Sequence, residues 1–142
     1  MSTDTAVHLT RTFDAPRDVV WRMWTDPQEF AAWYGPDGAS VDVREMDVRP
    51  GGRRVVAMHV VTPQGPMTME FVGQYREVEP PGRLVYTEAV TSHPETVVEV
   101  QLSEAGGRTT VALTHHGVPA GSPGEAGWAM ALDHLEARLD AG

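Results

Sequence analysis

The sequence contains no cysteine, lysine, asparagine or isoleucine. Without cysteine there are no disulfides, thiolate metal sites or cysteine nucleophiles, and nothing in the composition points to secretion. Without lysine there is no Schiff base, phosphate-loop lysine or serine–lysine dyad. Arginine supplies all 11 basic residues; lysine, asparagine and isoleucine share AT-rich codons, and a GC-rich bacterial genome accounts for their joint absence. Against 20 acidic residues this leaves a formal net charge of −9. Such a balance argues against nucleic acid and anionic membrane as partners, because both require clustered cations. Only Arg53 and Arg54 are adjacent basic residues. Long hydrophobic runs are missing too: nothing approaches a membrane span, and MSTDTAVHLT lacks the positive flank and apolar core of a signal peptide. The expectation is a soluble cytoplasmic protein with a single domain, residues 1–142, a size that typically buries roughly 70% of the unfolded surface.

What is present reads as an ordered series of short elements. TAVHLTRTF alternates Val7, Leu9 and Phe13 on one side, the pattern of a half-buried strand. In DAPRDVVWRMWTDPQEFAAWYG, Asp14 or Ala15 is placed to cap a helix with Pro16 in its first turn, and Val20 and Trp24 then share a face. Thr25-Asp26-Pro27 restarts a second short helix carrying Phe30 and Trp33. From Ala39 to Gly117, five turn clusters (RPGG, PQGP, EPPG, TSHP and EAGG) punctuate apolar alternations, predicting an antiparallel meander of about six strands. Phe71, Gly73 and Tyr75 share a face, as do Leu84, Tyr86 and Glu88, then Val98, Val100 and Leu102, then Val111, Leu113 and His115. SPGE, Ser122 to Glu125, has the form of a capping box. The helix it opens runs to about Asp140, with Trp128, Leu132, Leu135 and Leu139 as one stripe. Its length of roughly 25 Å is enough to cross a sheet.

No classical catalytic motif emerges. There is no GxSxG elbow and no phosphate-loop or dinucleotide pattern, and the glycine-rich stretches are hairpin turns. Of six histidines, His115 and His116 are neighbours on a strand and point to opposite faces. His93 falls in a turn, His134 on the long helix, and His8 and His59 on separate strands. We therefore expect neither a metal nor another cofactor.

The element order and five motifs together resemble the activator of HSP-90 ATPase homologue-like branch of the START-like (SRPBCC, Bet v 1-like) superfamily. The motifs are FDAPRDVVWRMWTDPQEFAAWYGPDG, DVRPGGR, GQYREVEPPGRLVYT, TVALTHHGVP and GWAMALDHLEARL, which span nearly the whole chain in order. The resemblance implies an α+β helix-grip fold: a curved antiparallel sheet of about seven strands wrapped around the long C-terminal helix, with two short helices after the first strand. It also implies a cavity between sheet and helix, since members bind lipids, hormones and polyketides there and some are cyclases or dehydratases. One departure stands out: after LVYT many relatives place Trp where this chain has Glu88.

Trp33 and Tyr34 would sit at the mouth of such a cavity, as core residues sealing a helix end or as lining. Trp24 reads as core. Trp128 reads as core with an indole N–H in need of a partner, for which a ligand oxygen would serve. His115 reads as a hydrogen-bonded core histidine, with a ligand-facing or acid/base role as the alternative, and His116 as solvated. Glu88 either enters the cavity, as a group for acid/base work or ligand binding, or reaches water at a strand end beside TSHP, the reading the turn favours.

The leading functional expectation is binding of a small hydrophobic or amphipathic ligand (a lipid, polyketide or aromatic metabolite) by Trp33, Tyr34, Met58, Phe71, Tyr86, Glu88, His115, Trp128 and Leu132. A second is a chaperone cofactor stimulating an HSP-90 ATPase, although the family's eukaryotic namesake carries a further domain that this chain lacks. The third is a cyclase- or dehydratase-like enzyme using Glu88, His115 or Tyr86; enzymatic activity is the less favoured class. Edge strands and exposed aromatics leave room for a homodimer.

Overall fold

The computed structural model describes residues 5–90 and 94–141. Strand β1 (Ala6–Phe13) leads into helices α1 (Arg17–Thr25) and α2 (Pro27–Trp33). Six strands follow: β2 (Ser40–Met46), β3 (Arg53–Thr62), β4 (Gly65–Glu79), β5 (Arg83–Glu88), β6 (Thr96–Ala105) and β7 (Arg108–His116). Helix α3 (Pro123–Ala141) closes the chain. All strand pairs are antiparallel, in a seven-stranded sheet of order β1-β7-β6-β5-β4-β3-β2. Five of the six adjacencies join strands that are consecutive in the chain; the β1–β7 pair brings the first strand beside the last. This is the helix-grip arrangement, with α3 against the inner face. Of the turn cluster TSHP, Thr91 to His93 lie outside the described residues, and so does the placement of His93.

The apolar alternations bury as their spacing requires. Val7 and Phe13 on β1, Leu84 and Tyr86 on β5, Val98, Val100 and Leu102 on β6, and Val111 and Leu113 on β7 are all buried. All but Val7 meet Val20 and Trp24 of α1, Phe30 and Trp33 of α2, and Trp128, Ala131, Leu132 and Leu135 of α3 in one core. Register irregularities bend the sheet at Val43/Glu45 and Tyr75/Glu77, as bulges do. Gly73 permits the tightest approach on the inner face: a Cβ there would lie 1.8 Å from the main-chain oxygen of Thr87. The displaced Gln74 N–H is satisfied by the Thr87 hydroxyl at 3.0 Å. Past this crossing β5 delivers Glu88 to the interior.

Two of the three helix starts differ from the local reading. Helix α1 begins at Arg17 with Pro16 in the cap position and no side-chain cap of its own. Glu104, from β6, accepts the Arg17 N–H at 2.8 Å, and the Thr109 hydroxyl donates to the Ala15 carbonyl at 2.7 Å. Glu104 thus serves an N–H for which Asp14 or Ala15 was the expected cap, while Thr109 satisfies a carbonyl that no capping acceptor could serve. Asp26 caps α2 as its position predicts, accepting from the Gln28 and Glu29 N–H groups at 2.9 and 3.1 Å. At α3 neither bond of the capping box is made. Glu125 reaches back, but to the Gly121 N–H at 2.9 Å, and the buried Ser122 hydroxyl has no partner.

Candidate functional site

The chain after α2 separates the two aromatics at its end. Trp33, the last residue of the helix, turns into the core, donates its indole N–H to the Met23 carbonyl at 2.8 Å and packs edge-on against Trp24. Tyr34 stacks on Phe30 and meets Trp128 edge-on, with centroids 4.5 and 5.4 Å apart. Gly35 follows with φ of 101°, a conformation glycine adopts at little cost, and turns the backbone away beside Met58.

Tyr34 forms one wall of a cavity of about 580 Å³ between the sheet and the first half of α3. Met58 of β3, Met69 and Phe71 of β4, Val118, Trp128 and Ala131 supply most of its apolar surface. Pro123, Gly124 and Gly127 line it on the helix side. Among the described residues, four polar side chains reach it: Tyr34, Glu88, His115 and Trp128. A smaller cavity of about 370 Å³ shares Phe71, Glu88, His115 and Val118 with it.

The polar groups form a connected set. Trp128 donates its indole N–H to His115 Nδ1 at 2.9 Å. An indole N–H only donates, so Nδ1 is an acceptor and the neutral ring carries its proton on Nε2. That N–H reaches the Thr96 hydroxyl at 2.8 Å, which in turn donates to the Glu88 carbonyl at 3.1 Å. Burial, chiefly, holds the His115 pKa below the usual histidine value, while the neighbouring Glu88 carboxylate pulls the other way. Desolvation wins, and the neutral ring matches the bond from Trp128.

Glu88 is buried, not solvated at a strand end as the turn beside it suggested. The reason is Arg54, equally buried on β3, whose Nη1 donates to Glu88 Oε2 at 3.0 Å. A buried carboxylate needs such a partner. The guanidinium lies between two rings, 4.1 Å from the Tyr86 centroid and 4.8 Å from that of Phe30, a geometry that favours a cation. Burial alone disfavours the Arg54 charge, but the surrounding groups, Tyr86 and Glu88 foremost, more than offset it. The Tyr34 hydroxyl makes a long bond of 3.5 Å to the same Oε2. Burial, then the Glu88 charge, raise the Tyr34 pKa well above that of a free phenol.

Of the expected ligand-contacting residues, Tyr34, Met58, Phe71, Glu88, His115 and Trp128 come together on the cavity wall. Trp33, Tyr86 and Leu132 lie in the core instead. Alternation correctly assigns Tyr86 and Leu132 to inward faces, but the cavity occupies only one end of the sheet, and Arg54 covers the Tyr86 ring. Arg54 went unrecognised as part of the site, although it shares the inward register of Val56 and Met58. Its pairing with Glu88 spans 34 positions, beyond any local pattern. His116 is half-exposed and bonded to Glu99.

The sequence pattern of the family described as "Activator of Hsp90 ATPase homolog 1-like protein" matches residues 14–140. The chain belongs to this family. Solved structures agree with the assignment to the activator of Hsp90 ATPase homolog 1-like family. A Chromobacterium violaceum protein is similar at 27% identity and TM-score 0.83, covering 94% of this chain and 95% of its own. A Rhodobacter sphaeroides protein is similar at 25% identity and TM-score 0.85, covering 97% and 94%. A Staphylococcus epidermidis protein is similar at 27% identity and TM-score 0.81, covering 99% and 93%. No protein of curated function matches the chain. Among the described residues no helix is long and apolar enough to cross a membrane.

Proposed function

We propose that this family member binds a small hydrophobic or amphipathic molecule, of the lipid, polyketide or aromatic-metabolite class, between the sheet and α3. The observation that supports this most is the cavity of about 580 Å³, with methionine and aromatic walls and few polar groups. Ligand sites of small molecules have this size and lining, and methionines adapt to varied ligand shapes.

Binding is favoured over acid/base turnover by the state of His115. Its two ring nitrogens are engaged by Trp128 and Thr96, which leaves neither lone pair nor proton ready for a substrate. Stimulation of an HSP-90 ATPase, the activity in the family's name, is tested separately by mixing the protein with a bacterial HSP-90 homologue and measuring ATP turnover.

The test of binding is mass spectrometry of protein isolated gently from its host, comparing native and denatured masses. A stoichiometric adduct is expected. Gly127 offers a control, since it lines the cavity and a side chain there would meet open space. Gly127→Phe should fold and lose the adduct. A bare mass for the wild-type protein, together with no uptake of apolar probes, would overturn the proposal.

A further inference from the structure

We infer that the ligand carries a neutral hydrogen-bond donor, a hydroxyl or amide-type N–H on an apolar frame, which docks on Glu88 Oε1. The inference rests on the cavity-binding reading above and narrows it to a chemical class.

Among the described residues, every side-chain donor facing the cavity already has an acceptor within the protein. The Trp128 indole N–H is given to His115, the His115 Nε2–H to Thr96, and the Tyr34 hydroxyl to Glu88. On Glu88 the two carboxylate oxygens differ. Oε2 accepts from both Arg54 and Tyr34. Oε1 accepts from no described residue; His115 Nε2 stands 3.9 Å away and donates elsewhere. A carboxylate oxygen accepts up to two bonds, so the cavity wall presents an acceptor and no available side-chain donor. Glu88 is only 3% exposed and lines the cavity, so a donor brought in by a ligand gains a hydrogen bond to a charged acceptor there.

Charge narrows the class further. Arg54 lies within ion-pair distance of Glu88 but is not on the cavity wall. Its charge balances the carboxylate without being accessible to a ligand anion. A ligand carboxylate would therefore face Glu88 with no accessible side-chain cation. A ligand ammonium would lose its hydration to meet a carboxylate whose charge is already compensated. A neutral donor incurs neither penalty.

The experiment is a ligand-observed NMR titration at neutral pH with probes sharing one frame: 2-naphthol, 2-methoxynaphthalene, 2-naphthoate and 2-naphthylmethylammonium. The wild-type protein should bind 2-naphthol about tenfold or more tighter than 2-methoxynaphthalene, the gain of one bond to a charged acceptor, and tighter than either ion. In the double variant Arg54→Met/Glu88→Leu, which removes the acceptor with its counter-charge, the two neutral probes should bind alike. Equal affinity of the neutral probes for the wild-type protein overturns the inference while leaving the cavity reading intact. So does tighter binding of either ion, or a naphthol preference that survives in the double variant. Failure of all four probes to bind overturns both readings. Should the double variant not fold, the wild-type ranking decides alone.

Discussion

Trp128 donates its indole N–H to Nδ1 of His115 across 2.9 Å, and this one bond settles which imidazole nitrogen carries the proton. A doubly protonated ring has donors at both nitrogens, so charging His115 sets N–H against N–H. The bond and the charge are mutually exclusive.

Stability should therefore depend on pH in a definite direction. The folded-state pKa of His115 is lowered, mainly by burial, whereas the unfolded chain titrates near about 6.5. Above that value both states hold the ring neutral and the group contributes no slope. Below it the unfolded state binds more protons, so stability falls as the pH drops from about 6.5 to the folded-state value. Urea unfolding across this range should show the loss, and His115→Gln should flatten it.

Removing one member of the buried ion pair should be worse than removing both. Arg54→Met leaves Glu88 buried without its cation, at a cost of about 3–5 kcal/mol. In Arg54→Met/Glu88→Leu most of that loss should return, because neither charge remains. Denaturant unfolding of the two variants measures the difference.

Trp33 and Trp128 should separate under mutation. Trp33→Ala opens the core and strips the bond to Met23, costing about 3–5 kcal/mol, with any bound molecule retained by the protein that remains folded. Trp128→Phe keeps most of the apolar body but orphans His115 Nδ1, costing about 1–3 kcal/mol, and should weaken ligand retention. Unfolding curves alongside native mass spectra distinguish the two.

Gly73→Ala should damage the fold well beyond its size. The added methyl would overlap the Thr87 carbonyl oxygen at 1.8 Å, and main chain on an inner strand crossing has little room to move. A loss of about 2–4 kcal/mol, or failure to fold, is expected from thermal or urea unfolding. Gly127→Ala, where a Cβ meets nothing, should instead stabilise α3 by about 0.5–1 kcal/mol.

Much of the architecture was legible because it follows from short-range rules. Val98, Val100 and Leu102 alternate with the period of a strand; Trp128, Leu132 and Leu135 recur with that of a helix; all six are buried. Asp26 caps α2 from the position its neighbours prescribe. The failure of the box at Ser122 and the cap that Glu104 lends to α1 were not legible, because one depends on local burial and the other on a partner 87 positions away.

By itself the sequence determined the element order, the inward faces and the family. Periodicity and turn chemistry act over a few residues, so they can be read from a string. Only the tertiary structure decided that Trp33 enters the core while Tyr34 lines the cavity, that Arg54 meets Glu88, and that Oε1 of Glu88 accepts from no described residue. Those outcomes depend on distances between strands and helices far apart in the chain. Burial is what gives them their weight, since in water Glu88 would need no Arg54 and His115 would need no Trp128.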